Sequence, residues 1–390
     1  MARFAAQAGA AVASQWIPSA AWGTAPPVVG IAPDWQPLDV VTGDALFTAA
    51  RVNGSAAQGI LDSGSGATII DARLAATLGL RGEARTVAGL ATKTEVILVK
   101  RVTITLGDTP RDLPFALVGD LRAMASALGR PIDLLLGADL FADRCLTIDI
   151  PRRRMAFSAS GSFAGGRGWT ALPLARGDRR ELLTSVAIAG TAPVPMMIDT
   201  GSSSALLLSA NYLRSSGIAR DRRSSSALMA GVDGIQTVAL MTIDAVDFGG
   251  LRIDAVPAVG MPRWASTSAA GTIGMPLLAQ FDLVFDLARN TLWLRPLARS
   301  KRLPMLKDRS GLGTRLTPSG LEVVHVARGG PGERGGWAVG ERITAIDGKP
   351  VDERYTRGEL WRWRYAAAGR VVALTLGPGK TRSLRLEDFF

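Results

Sequence analysis

The chain has 390 residues, 47% of them hydrophobic, with 44 Gly, 21 Pro, one Cys and one His. That length and apolar content suffice for two or three packed domains, and many short Val/Ile/Leu runs broken by Gly and Pro point to β-rich structure with frequent turns. The lone Cys145 excludes an internal disulfide, and with His325 as the single histidine there is no material for zinc clusters or for Ser-His and Cys-His catalytic pairs, which leaves carboxylates as the catalytic groups.

The formal net charge of +11 invites a nucleic-acid reading, but its distribution argues otherwise. Residues 299–390 carry 18 Lys/Arg against 10 Asp/Glu, whereas the preceding 298 residues carry 27 against 24. No zinc-finger, helix-turn-helix or RNP-like motif accompanies the basic tail, and Arg outnumbers Lys throughout, so an Arg-rich composition or an acidic partner explains the excess better.

At the N-terminus, Met1-Ala2-Arg3, the Ala-rich stretch from Phe4 to Ala13 and the small-x-small step Ala11-Val12-Ala13 have the order of a signal peptide. They predict a periplasmic or secreted protein, with a cytoplasmic one as the alternative if the leader is only an Ala-rich arm. Residues 14–36, with Pro18, Pro26, Pro27 and Pro33, read as an extended linker, and no apolar run is long enough to span a bilayer. A strand over Ala45–Ala49 and Val52 follows, with Asn53-Gly54 as its hairpin turn, and then a strand running into Leu61-Asp62-Ser63-Gly64. Asp71 to Gly79 predicts a short helix, and two short strands flank Ala88-Gly89-Leu90. Val102–Leu106 alternates as a strand does, turning at Gly107-Asp108. Cys145 lies in an apolar stretch and reads as a buried structural thiol.

From about Thr170 the same order returns. Leu182–Ile188 with Gly190 opens it, Met196-Met197-Ile198-Asp199-Thr200-Gly201 follows, then a helix through Asn211-Tyr212-Leu213, a hairpin about Ala230-Gly231, and a closing strand Thr291–Leu294 that matches Arg154–Phe157. The step from Asp62 to Asp199 equals the step from Gly137 to Gly274, each Gly ending an apolar run. Leu140-Phe141 and Ile148-Asp149 match Leu277-Leu278 and Phe285-Asp286 at the same offset. A single Asp-[Ser/Thr]-Gly is a weak signal; two at matching places in an internal repeat are specific. Each reads as a carboxylate presented on a tight turn, and two copies of one unit suggest a single site built across a pseudo-two-fold axis.

On these residues the chain resembles the retropepsin and pepsin group of aspartic proteases, over roughly residues 40–297, with copy 1 similar to the retropepsin-like form. The resemblance implies a mainly β fold of two duplicated β-barrel lobes, each of six or seven strands, with a shared cleft. It makes Asp62 and Asp199 the catalytic dyad. Ser63 and Thr200 would bond across the junction of the turns, Ser65 and Ser202 would bond the outer carboxylate oxygens, and Gly64 and Gly201 would offer N–H groups. Ala88, Gly89 and Leu90, with Ala230 and Gly231, would belong to flap hairpins over a peptide; a plain surface hairpin is the alternative. Neither hairpin carries the Tyr typical of pepsin flaps, which argues against pepsin-type specificity.

The last 90-odd residues differ in character. Gly335-Gly336-Trp337-Ala338-Val339-Gly340-Glu341-Arg342-Ile343 and Ile346-Asp347-Gly348 are similar to a bacterial PDZ domain, a small α+β partly open barrel, with a helix expected over residues 356–368. The resemblance implies capture of peptide termini or extended segments by strand addition, with Gly311, Leu312, Gly313 and Thr314 as the carboxylate-binding loop; a structural cap on the body is the alternative. The expected organisation is leader and linker 1–36, lobe 1 over 37–160, lobe 2 over 161–298 and the PDZ-like module over 299–390.

Two carboxylates in one site titrate as a pair and divide the work of base and acid on water and a peptide carbonyl. The expectation is therefore an endopeptidase acting on protein substrates without metal or cofactor, with one chain sufficient for catalysis and no nucleic acid as partner. The alternatives are a silent peptide-binding scaffold on the same fold, or a nucleic-acid binder whose affinity falls steeply with salt and survives loss of both Asp.

Overall fold

The computed structural model describes residues 5–7, 34–40, 45–88, 93–231, 234–356, 358–377 and 380–390. Within lobe 1, Asn53 and Gly54 both take positive φ, 48° and 88°. A two-residue hairpin turn requires this, and here it joins Leu46–Val52 to Ser55–Leu61. Leu134–Leu136 runs parallel to the second of these strands and antiparallel to Ile69–Asp71, so the chain leaves the Asp62 turn and returns beside the strand that led into it. Thr109–Gly119, Lys93–Leu106 and Glu83–Ala88 continue the sheet, and Lys93–Leu106 also pairs with Leu46–Val52, curling the layer toward a barrel.

Lobe 2 repeats the plan. Leu182–Ile188, Val194–Asp199, Gly271–Gly274, Leu206–Ser209, Leu251–Met261, Gly234–Phe248 and Ser224–Gly231 are neighbours in that order, and Gly234–Phe248 returns to pair with Leu182–Ile188. The sheets hold eight and nine described strands, more than the six or seven expected, because short edge strands such as Asp39–Val40, Ala175–Arg176 and Ala5–Gln7 add to the repeated core. Ala5–Gln7 lies parallel to Met229–Gly231; the rest of the expected leader falls outside the described residues.

Helix starts are set by side-chain caps at matching places. Asp71 Oδ1 accepts from Arg73 N–H (3.1 Å) at the head of α1 (Ala72–Thr77), and Ser209 Oγ accepts from Tyr212 N–H (3.1 Å) at the head of the corresponding lobe-2 helix, Ala210–Ser216. A second lobe-1 helix, α2 (Arg122–Leu128), has no counterpart in the sequence reading. It covers the sheet face that carries Ile60, Ile69 and Leu135, with Leu121, Met124 and Leu128 buried against them. The opposite face, with Leu46, Leu61 and Ile70, belongs to the large core that continues through Ile198, Leu206 and Phe285 into lobe 2.

The two repeats are welded by a six-stranded antiparallel sheet whose centre pairs Arg144–Asp149 with Phe281–Asp286. In that register Thr147 faces Val284, its own counterpart in the second repeat, so the pseudo-two-fold axis passes through this pair. Cys145 lies in the same sheet and is a buried free thiol, its pKa pushed up by burial and by neighbouring Asp286.

The C-terminal module holds two small sheets, Leu312–Thr317 with Gly320–Val326 and Arg342–Ile343, and Lys349–Pro350 with Ala345–Ile346, Val371–Thr375 and Thr381–Arg385, around a core containing Leu321, Trp337, Trp361 and Trp363. The helix expected over residues 356–368 is instead a six-residue 3₁₀ segment, Leu360–Tyr365. Trp361 and Trp363 are both buried there, and at that spacing on an α-helix they would point to nearly opposite sides. No helix among the described residues is long and apolar enough to cross a membrane.

Candidate active site

Side chains alternate along a strand, so Leu61 and Ile198 point into the common core while Asp62 and Asp199 emerge on the other face, at the ends of Ser55–Leu61 and Val194–Asp199. The Asp62 N–H donates to the Leu136 carbonyl (2.9 Å), which fixes the end of the strand. Beyond each Asp the chain turns sharply and is anchored by matching backbone bonds, Ala138 N–H to Ser65 O and Met275 N–H to Ser202 O, both 2.8 Å.

The turns lock together in a reciprocal set of four bonds. Ser63 Oγ donates to Ile198 O (2.9 Å) and accepts from Thr200 N–H (3.0 Å); Thr200 Oγ1 donates to Leu61 O (2.9 Å) and accepts from Ser63 N–H (2.9 Å). Each hydroxyl satisfies one buried donor and one buried acceptor of the other lobe. These bonds place Asp62 and Asp199 side by side, both fully buried. A Cβ added at Gly64 would lie 2.5 Å from Asp199 Cγ, so only glycine lets this backbone approach the opposite carboxylate.

Inner oxygens are held by the turn amides. Asp62 Oδ1 accepts from Gly64 N–H (3.0 Å) and Ser65 N–H (3.1 Å), and Asp199 Oδ1 accepts from Gly201 N–H (2.9 Å). Asp62 Oδ2 and Asp199 Oδ2 are buried and meet no hydrogen-bond donor among the described residues, and the two carboxyls lie close enough for the charge of Asp199 to bear on Asp62. Two buried carboxyls so placed do not both ionise readily and titrate as a pair. Burial raises both acids above the ordinary carboxylate range, and the neighbouring Asp199 charge raises Asp62 further, while the Gly64 and Ser65 amides pull the other way.

Ser65 and Ser202 differ from expectation. Their hydroxyls turn away from the carboxylates, Ser65 Oγ donating to Ala67 O (2.6 Å) and Ser202 Oγ to Ser204 O (3.5 Å). Their amides face the acids instead, because the tight turn brings N–H groups inward and leaves the hydroxyls to close the loop behind. A supporting carboxyl that sequence reading missed is Asp139, which accepts from Thr68 N–H and Thr68 Oγ1, both 2.8 Å, beneath the Asp62 turn. Burial pushes it up to about 6 despite those bonds. Its partner lies far off in the sequence, across most of lobe 1, so no local pattern announces the pair.

The raised acids give the fold a pH signature. Between about pH 4, where a free Asp titrates, and the raised values of the dyad and Asp139, the folded chain holds more protons than the unfolded one. Their contribution to stability is therefore full below about pH 4 and lost as pH rises through the folded values. Thermal unfolding is expected at a lower temperature at pH 7 than at pH 4.5, with a smaller difference in the double variant Asp62→Asn/Asp199→Asn; equal differences in the two proteins would contradict the assignment.

The expected flap residues divide. Gly89 and Leu90 lie outside the described residues, and Ala88 ends the strand Glu83–Ala88. Ala230 and Gly231 end Ser224–Gly231, and Ala230 is fully buried, packed not on its own lobe but in the lobe-1 cluster with Ile60, Ile69, Val87 and Met124. The end of the lobe-2 hairpin thus packs on the lobe-1 sheet face that carries Ile60 and Ile69.

The expected carboxylate loop is far from the dyad turns in sequence and already engaged. Ser310 N–H (2.6 Å), Gly311 N–H (3.2 Å) and Ser310 Oγ (2.8 Å) all donate to Asp308 Oδ1, and Leu312 N–H donates to Ser310 Oγ (3.1 Å). Buried Arg364 pairs with Asp308 Oδ2 and the Leu312 carbonyl. Gly313 pairs with His325 in the sheet, and Thr314 is buried. An internal carboxylate thus lies against the Gly311 end of the stretch Gly311, Leu312, Gly313 and Thr314.

A profile of the aspartyl protease family matches the chain twice, over residues 48–140 and 184–277. Fold and profile together define the class, a mainly β chain with two repeated aspartyl protease domains and barrel-like sheets. Each match ends at the Gly137 or Gly274 return beside its Asp turn, so the duplicated units each contain one of the two facing carboxyls. No curated protein matches the chain.

Proposed function

We propose that the protein is an aspartic endopeptidase in which Asp62 and Asp199 act as a shared-proton pair. The observation that carries this reading is the approach of two fully buried carboxyls on two-fold-related turns, each with an outer oxygen that meets no donor and each raised by burial. The ionised member takes a proton from water as the oxygen attacks the peptide carbonyl, and the protonated member gives its proton to the carbonyl oxygen. The gem-diol that forms collapses as one of its hydroxyls gives its proton to the now ionised member, the C–N bond breaks and the nitrogen takes the proton of the other member, which returns the pair to its starting state. No covalent enzyme intermediate is needed, and one chain supplies both acids.

The four-bond lock fixes the carboxyls before substrate arrives, which supplies the preorganisation that acid–base catalysis needs. Recruitment of protein substrates by the C-terminal module is part of the same proposal, with the sheet-edge strand Leu312–Thr317 as the element that takes an extended segment. The test is cleavage of denatured casein between pH 3 and 8 with and without a statine-type inhibitor, whose hydroxyl mimics the gem-diol. Cleavage blocked by the inhibitor is expected; a chain inert at every pH, or one indifferent to the inhibitor, rules the reading out.

A further inference from the structure

The lobe-2 hairpin, Ser224–Gly231 with Gly234–Phe248, is held from three sides. Ala230 sits in the lobe-1 cluster beneath α2, and Met229 packs on the lobe-2 wall with Leu207, Val238 and Val259. The third side is the C-terminal module. Ser225 Oγ donates to the Arg328 carbonyl (2.6 Å), and His325 Nε2 lies 3.0 Å from Ser226 Oγ and 3.1 Å from the Ser226 carbonyl oxygen. A carbonyl only accepts, so these contacts select the tautomer with hydrogen on Nε2. Lys307 Nζ donates to Thr242 Oγ1 (3.0 Å) on the second hairpin strand. The module also reaches lobe 1, where Thr356 Oγ1 donates to the carbonyl of Gly129 (2.9 Å), the left-handed residue that ends α2. Val324, beside His325, packs on the same lobe-1 cluster as Ala230.

We infer that His325 is a positioning residue for the site: with the Arg328 carbonyl and Thr356 it ties the lobe-2 hairpin and α2 together, so that the C-terminal module sets how firmly the hairpin closes over the dyad. The functional half of this inference rests on the protease reading, since it assigns the hairpin to substrate closure; the mechanical half does not. Hairpin and α2 belong to different lobes, and the module bonds to both. Opening the cleft at this end therefore means breaking module contacts, not only those between the lobes.

The experiment is hydrogen exchange of the amides in Ser224–Gly231 in the full chain, together with kcat and KM on a short peptide. A net hydrogen bond is worth about 0.5–1.5 kcal/mol, a factor of roughly 3–10 in an opening equilibrium. His325→Ala is expected to speed exchange in Ser224–Gly231 by about tenfold, with the central strands Arg144–Asp149 and Phe281–Asp286 unchanged. It should also raise KM several-fold with kcat within about twofold, and His325→Gln, which keeps a donor, should restore both. A merely structural loss lowers the active fraction and so kcat, leaving KM alone. Ser225→Ala and Thr356→Val, each removing one bond, serve if His325→Ala does not fold, with about threefold faster exchange expected. Unchanged hairpin exchange in the folded variants, or acceleration spread evenly over the sheets, overturns the inference. If wild type cuts nothing while hairpin exchange responds as expected, the protease reading fails and the mechanical tie stands.

Discussion

Replacing Asp62 or Asp199 by Asn is expected to abolish cleavage of an unfolded protein, with kcat falling by at least roughly 10³-fold, in the range that general acid–base groups contribute. Asparagine keeps the shape of the side chain, and its carbonyl oxygen can still accept the turn amides that hold Asp62 Oδ1 and Asp199 Oδ1. What it cannot do is exchange a proton with its neighbour. Both single variants should therefore fold, and at pH 7 each should unfold at a temperature equal to or above that of wild type, because a buried acid that resists ionisation has been removed. Casein turnover and thermal melting of the same samples separate loss of chemistry from loss of fold. Retention of more than a tenth of the activity by either variant would mean that the facing carboxyls do not do the chemistry.

Thr200→Val is expected to produce the largest loss of stability. The hydroxyl it removes serves Ser63 N–H and Leu61 O at once, and valine leaves both buried and unpaired. Each orphaned group costs about 1–3 kcal/mol, so the variant should lose about 2–6 kcal/mol, a large part of the roughly 5–15 kcal/mol by which a folded chain is typically stable. Ser63→Ala strips the mirror-image pair, Thr200 N–H and Ile198 O. Because the four bonds form one network, the double variant should cost less than the sum of the singles. Chemical denaturation of the three proteins measures this. A loss for Thr200→Val under about 0.5 kcal/mol, the low end for even one net hydrogen bond, would show that the lock contributes little to joining the lobes.

How much of this is legible in the sequence depends on how local the cause is. Asn53-Gly54, the Asp71 cap and the apolar returns to Gly137 and Gly274 are written in neighbouring residues, and the constant offset makes two weak turns into one specific signal. Helix α2 escapes notice because Arg122–Leu128 is short and lacks a side-chain cap; its burial comes from the sheet beneath it. The hydroxyls of Ser65 and Ser202 find other partners than expected, since residue type alone does not say whether a side chain or its amide faces inward. In the C-terminal module the glycine pattern is legible, but the placing of Asp308 against Gly311 depends on Arg364, which reaches it from the 3₁₀ segment at the far side of the module. Asp139 and its Thr68 donors, and the His325 contact with Ser226, are likewise products of tertiary folding that no spacing encodes.

The central pairing of Arg144–Asp149 with Phe281–Asp286 also has a meaning for synthesis. The first of these strands is made one whole repeat before its partner is complete, and at roughly 5–20 residues per second the ribosome leaves its edge unsatisfied for on the order of ten seconds. An open strand edge is a template for pairing with another chain. Because the register is centred on Thr147, a second nascent lobe 1 on the same polysome offers an edge able to pair with it about that residue. The axis that brings the two acids together in the finished protein thus runs through a strand edge that stays open until the second repeat is made.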